Sequence, residues 1–303
     1  MAETELLQFR ILYDSPMIAV RDYICRHDHR EASPEEESDS NSITLMRHGA
    51  FARHFGKQKV TSDVNQASFF TKGSVYRVSH PSGCGDRGTS MVVAESILSD
   101  IIRELDPSIV ERPDSPFSFP SGPCDTQIFL RHRAYVRRLE TADADPLEPL
   151  WADVTGLQLI ADVLEAAYLH AGAIPTKRAS TSKDHAERVD AAKAYIAKHL
   201  GQNLSLVDIA AAANSSPFNF ARLFQQQTGV PVHRYLTRLR LRTSLERIAE
   251  PGSDLTSIAL DLGFSSHSHF TDMFRREFGK TPSEMRENAS IFGIRKMSKN
   301  LIA

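Results

Sequence analysis

The chain has 303 residues, 41% hydrophobic and 24% charged, which fits an ordinary globular protein of about two domains. No run of about eighteen apolar residues occurs, which excludes a membrane-spanning helix and predicts no membrane partner. Three cysteines, Cys25, Cys84 and Cys124, are too few and odd in number for a disulfide framework. The first residues, Met1 to Asp14, carry acids where a secretory signal needs bases, so a cytoplasmic protein is expected. The formal net charge of −2 hides an asymmetry: residues 181–303 hold 17 Lys and Arg against 12 Asp and Glu, a net +5, which leaves −7 on residues 1–180. A basic C-terminal part beside an acidic N-terminal part points to a polyanion partner for the former.

Residues 9–95 read as strands. Short apolar stretches at Met17 to Ile24, Ile43 to Leu45, Ala67 to Phe70 and Met91 to Ala94 alternate with turn-forming tracts such as His80 to Gly88. The acidic run Glu31 to Asn41 is expected to be a solvated loop. After Glu95 the period becomes helical, with Ile97, Ile101 and Leu105, then Ile128, Tyr135 and Leu139, separated by a proline-rich loop from Pro107 to Pro123. Leu147 to His170 carries a longer helical pattern whose stripe is Leu150, Val154, Leu157, Ile160, Ala161 and Leu164. Residues 173–182 are short, polar and aperiodic, and are expected to be a linker. This divides the chain into an N-terminal domain (1–172), the linker, a helical domain (183–290) and a tail (291–303).

The helical domain contains an internal repeat. Leu206, Ile209, Ala210 and Ala213 have one-face helical spacing, and Leu255, Ile258, Ala259 and Leu262 repeat it 49 residues later. A short polar turn follows each, then a second stripe: Phe220, Leu223 and Phe224, repeated as Phe270, Met273 and Phe274. Gly229 and Gly279, followed by Pro231 and Pro282, end the two units. Ser216 before Pro217, and Ser266, are the expected N-caps of the second helices.

This is the pattern of a helix-turn-helix, whose second helix is presented to the major groove. With the aromatic stripe in the core, the outer face of the first unit offers Phe218, Asn219, Ala221, Arg222 and Gln225. The second offers His267, Ser268, His269, Thr271, Asp272, Arg275 and, at its end, Arg276 and Lys280. An arginine at 222 suits the O6 and N7 of guanine, amides at 219 and 225 suit adenine, and Asp272 suits the cytosine amino group. Arg275, Arg276 and Lys280 suit phosphates. Phe218 suits either a thymine methyl or a cover for the turn. Between the units, Pro231 to Glu250 reads as one long helix that would hold the recognition helices about 34 Å apart along the groove.

The residues SSPFNFARLF from Ser215, RLRLRTSLERIA from Arg238 and DLGFSSHSHFTDMFRREFGKTPSEMR from Asp261 resemble the DNA-binding domain of the AraC/XylS family of transcriptional regulators. The resemblance covers about a third of the chain. It implies seven helices, two helix-turn-helix units joined by a long helix, and base contacts at Phe218, Ala221, Arg222, His267, Ser268, Thr271 and Asp272. The position of Asp272 is often basic in relatives, so this unit is expected to bind more weakly or to choose cytosine. The fold class so implied is α+β, with a cupin-like N-terminal sensor and dimerisation domain whose dimer helices would be Asp125 to Glu140 and Pro146 to Gly172. The implied partners are double-stranded DNA, a second copy of the chain (a homodimer) and RNA polymerase, with a small-molecule effector left open. It implies an activator, although the residues themselves leave activation and repression open.

Cys25, His27 and His29 alternate as one strand face would, His80 and Cys84 bracket a turn, and Cys124 lies in a proline-flanked loop. Thiolates with imidazoles suit zinc or another thiophilic metal. The glycine expected before a cupin enzyme's metal histidines is absent, so the expectation remains no cofactor and no enzyme. No P-loop, dinucleotide fingerprint or triad order is visible. A metal-dependent cupin enzyme tethered to a DNA-binding module, and a binder of nucleic acid without sequence preference, are the competing classes.

Overall fold

The computed structural model describes residues 7–26, 31–56, 58–83, 85–141, 148–173, 179–250 and 252–291. Ten strands come first and in the middle: β1 (Leu7–Asp14), β2 (Ile18–Cys25), β3 (Glu36–Glu37), β4 (Ser42–His48), β5 (Ala50–Phe55), β6 (Gln58–Asp63), β7 (Gln66–Phe70), β8 (Val75–Ser79), β9 (Asp86–Val93) and β10 (Ser121–Pro123). Helices α1 (Glu95–Leu105), α2 (Thr126–Glu140) and α3 (Pro149–Ala173) complete the N-terminal part. Seven helices follow: α4 (Ala179–Lys198), α5 (Leu206–Ala212), α6 (Pro217–Thr228), α7 (Val232–Ile248), α8 (Leu255–Asp261), α9 (His267–Phe278) and α10 (Pro282–Ile291). The fold is mixed, with its sheets N-terminal and its helical repeat C-terminal.

All strand pairs are antiparallel. A six-stranded sheet runs β1-β2-β9-β4-β7-β10 and a four-stranded sheet β3-β8-β5-β6. Antiparallel meanders suit this sequence because its apolar residues alternate with polar ones and its turns are short and rich in glycine. The first half of β2 shows the alternation: Ile18 and Val20 face inward beside Val93 and Met91 across the ladder, with Ala19 and Arg21 half-buried between them. Arg53 is buried between the sheets, where its guanidinium donates to the carbonyls of Phe69 and Pro120 and covers the Phe70 ring at 4.0 Å.

Four expectations meet corrections here. The acidic run contains a short exposed strand, β3, paired to β8. The proline-rich loop contains a 3-10 turn over Pro107–Glu111 and the edge strand β10. In α3 the expected stripe holds at Ile160 and Leu164 but not at its start: Leu150 and Val154 are exposed, while Ala152, Leu159, Val163 and Ala167 join the buried face. The helix is apolar almost all round, so periodicity could not fix its rotation. Finally, α4 begins at Ala179, inside the stretch expected as linker; of that stretch, residues 174–178 lie outside the described residues, as does the tail beyond 291. Among the described residues no helix is long and apolar enough to cross a membrane.

Candidate nucleic-acid interface

The two repeat units fold as helix, tight turn and longer helix: α5–α6 and α8–α9. Each short helix is capped by its own sequence. Ser205 and Asp208 form a reciprocal capping box on α5, and the Asp254 carboxylate accepts from the Thr256 and Ser257 amides at the start of α8. The turn needs one left-handed residue. Asn214 supplies it in the first unit (φ 47°) and Gly263 in the second (φ 78°). Gly229 and Gly279, both left-handed, stop α6 and α9.

The longer helices are held by aromatic ladders. Phe220, Phe224 and Tyr235 stack in the first unit, with centroids 5.5 and 5.2 Å apart. Phe264, Phe270, Phe274 and Phe278 form the second at 5.1, 5.6 and 4.6 Å. Phe220, Phe224, Phe270 and Phe274 are fully buried, as the spacing requires. The opposite faces are open. Phe218 (71% exposed), Asn219, Arg222 and Gln225 are at the surface with Ala221 at their margin, and the Arg222 guanidinium lies 6.0 Å from the Phe218 ring centre. In α9, Ser268, Asp272, Arg275 and Arg276 are exposed, and His267, Thr271 and Lys280 are half-buried. Phe218 therefore does not cover the turn by burying its ring.

Two features went unseen in the sequence. Arg240, in α7, donates to the carbonyls of Leu200 and Gln202 ahead of the first unit and to Gly263 in the turn of the second, at 2.9, 2.6 and 2.9 Å. Close by, Gly201 lies so near the Asp261 carbonyl that a methyl at that position would overlap it. The units are thus clasped by one guanidinium. The signal was weak, because an arginine in a basic helix reads as solvated.

The second feature is the seat of α7, which is buried on nearly every side. Arg242 is fully buried, donating to the carbonyls of Val64 and Cys124 at 2.9 and 2.8 Å, with its guanidinium 4.7 Å from the centre of the Phe129 ring. The Tyr235 hydroxyl donates to Asp63 at 2.6 Å, and the Asn65 amide donates to the Tyr235 carbonyl. Glu246 pairs with Arg133 and Arg87. Burial alone would raise the Glu246 carboxyl, but Arg133, Arg47 and Arg87 outweigh it and hold it below its ordinary value. Glu277 of α9 meets Arg238 at 3.1 Å and accepts from Thr126. A signal did exist: Tyr235, Leu239 and Arg242 share a helical stripe.

These pairings also sort the surplus of positive charge. Arg238, Arg240, Arg242, Arg247 and Arg286 are committed to internal carboxylates and carbonyls. Arg222, Arg275 and Arg276 remain on the outer faces of α6 and α9.

Of the metal candidates, His27, His29 and Cys84 lie outside the described residues. Cys124 is buried beside Arg242, and burial pushes its thiol up to about 11. Cys25 and His80 do meet, joined by Asp86, which the spacing did not single out.

Residues 209–288 match a family model described as a helix-turn-helix domain. The regulatory protein PocR of Salmonella typhimurium is 32% identical over 103 residues, 34% of this chain and 34% of that protein. The HTH-type transcriptional activator RhaS of Escherichia coli is 32% identical over 110 residues, 36% of this chain and 40% of that protein. A solved transcriptional regulator of Chromobacterium violaceum, described as AraC-type, is 29% identical with a TM-score of 0.32, covering 38% of this chain and 100% of that one. The match thus spans little more than a third of the curated relatives' length. Two capped helix-turn-helix units on aromatic ladders, matched in sequence to the corresponding part of these regulators, identify residues 209–288 as an AraC-type helix-turn-helix domain.

Proposed function

We propose that the chain is a sequence-specific transcriptional regulator in which α6 and α9 enter successive major-groove segments of one duplex. The observation that carries this is the pairing of fully buried aromatic faces with open polar faces on both helices, clasped through Arg240. Arg222 forks onto guanine, Asn219 and Gln225 take adenine, Phe218 and Ala221 meet thymine methyls, and Asp272 accepts from cytosine. His267, Ser268 and Thr271 complete the second reading face, and Arg275 and Arg276 hold phosphates. The 34 Å rise between groove segments is the spacing this reading requires.

The N-terminal part is the responsive domain in this reading, a cupin-like unit that binds an effector or partner and dimerises through α2 and α3. Its contact with α7 supports that role, since a change at Asp63, Val64 or Glu246 reaches the helix that carries both readers. A homodimer would cover two half-sites and present the regulator to RNA polymerase as a cytoplasmic activator.

The test is selection of bound duplexes from a random pool by the full chain. A motif with two conserved blocks about one helical turn apart is expected. Recovery of unenriched sequence, with the same steep salt dependence on every duplex, would replace this reading with non-specific binding.

A further inference from the structure

Cys25 and Asp86 are cross-strand partners at the ends of β2 and β9 in the six-stranded sheet, so their side chains leave the same face. His80 is the first residue after β8, in the four-stranded sheet, where its carbonyl accepts from Gly83 in a tight turn. The three side chains meet where the sheets converge. Their Sγ, imidazole and carboxylate atoms all lie within 4.8 Å of one another, with the His80 Nε2 2.7 Å from Asp86 Oδ2. All three are more than nine-tenths buried, at 8%, 5% and 4% exposure.

The backbone is shaped to allow this. A methyl at Gly85 would overlap the Cys25 carbonyl, and one at Gly49, left-handed at φ 78°, would come 2.9 Å from the Asp86 side chain. A side chain at Gly85 would push against the Cys25 backbone, and one at Gly49 would push against Asp86.

We propose that Cys25, His80 and Asp86 form a binding site for a divalent thiophilic ion of the zinc class. One sulfur, one imidazole nitrogen and one carboxylate oxygen are the donor types zinc takes, and three protein donors leave a fourth position for water or another donor. A thiolate and a carboxylate bring two negative charges into a dry site, which a divalent ion neutralises; a monovalent ion such as Cu(I) leaves one uncompensated. The ion would staple the two sheets at their junction, since two ligands come from one and the third from the other. This site is separate from the DNA-facing helices and stands independently of how they act.

The test uses the full chain, stripped of metal and titrated with zinc, then with cobalt as a spectroscopic substitute. One zinc per chain should survive gel filtration, and the melting temperature should rise on loading. The cobalt form should show a thiolate-to-metal charge-transfer band. Cys25→Ser should abolish that band and weaken zinc binding by more than about tenfold, and Asp86→Asn should lose the thermal shift, while Cys124→Ser changes neither. X-ray absorption of the zinc-loaded wild type needs no variant to fold and should show a sulfur at about 2.3 Å among lighter atoms at about 2.0 Å. Wild-type protein that retains no zinc, a first shell without sulfur, or a cobalt band that persists in Cys25→Ser would overturn the assignment.

Discussion

The two helix-turn-helix units share one core solution and differ in almost everything outside it. Both rest a helix on stacked phenylalanines and stop it with a left-handed glycine. Yet the first makes its turn with Asn214 and leaves the Ser216 side chain without a capping bond, whereas the second uses Gly263 and the Ser266 hydroxyl accepts from the His269 amide. Their outer faces diverge further, with Arg222 on one and Asp272 on the other. The inner stripe thus specifies the unit and leaves the outer face free for chemistry. Fold likeness between the units is therefore no guide to which bases each would read.

The largest effects are expected at the aromatic ladders. Phe274→Ala, which empties a fully buried site in the second unit, should cost about 3–5 kcal/mol of stability in urea denaturation. Phe224→Ala should cost the same in the first unit if the cores are equivalent. A melting curve unmoved by either change would mean that the helix does not depend on its aromatic face.

Arg240→Ala tests the clasp. Three carbonyls lose a charged donor, so stability should fall by about 2–3 kcal/mol, and affinity for a two-block site should drop more than affinity for either block alone. Equal losses on whole and half sites would show that Arg240 only stabilises the fold.

Arg222→Ala should reduce affinity for the selected duplex by about 1–3 kcal/mol and relax preference at one base pair, measured by titration of single-substituted duplexes. An identical loss on random DNA would make it a phosphate contact. The smallest effect is expected at the sheet side of α7. The Glu246 carboxyl is depressed in the folded chain, so its stabilisation is complete above the ordinary carboxylate value near 4.3 and is lost as pH falls through the depressed one. Glu246→Gln should flatten that acid limb of the stability curve, and an unchanged limb would assign it to other carboxylates.

How much of this was legible depended on whether the information was local. Phe220 and Phe270 announce themselves because helical spacing, caps and terminators lie within a few residues of each other. The outer residues Arg222 and Asp272 followed once that rotation was known. Arg242 was harder, since its place on the stripe of Tyr235 and Leu239 is a hint of burial that its partners in the N-terminal part, Val64 and Cys124, are needed to complete. Asp86 could not be found at all: its partnership with Cys25 depends on strand register across sixty residues, which no local pattern encodes. The start of the α3 stripe, Leu150 and Val154, failed for the opposite reason, too many apolar residues to choose among.

The burial of Arg242 bears on how the C-terminal third should be handled in the laboratory. Cut free of the sheets, that fragment would strip a guanidinium of the carbonyls of Val64 and Cys124 and of its aromatic cover, handing a new cation to solvent while losing the acidic N-terminal part. Such a truncated protein would cling to any duplex more tightly, and with a steeper ionic-strength slope, than the intact molecule does. Measurements of selectivity belong to the uncut chain.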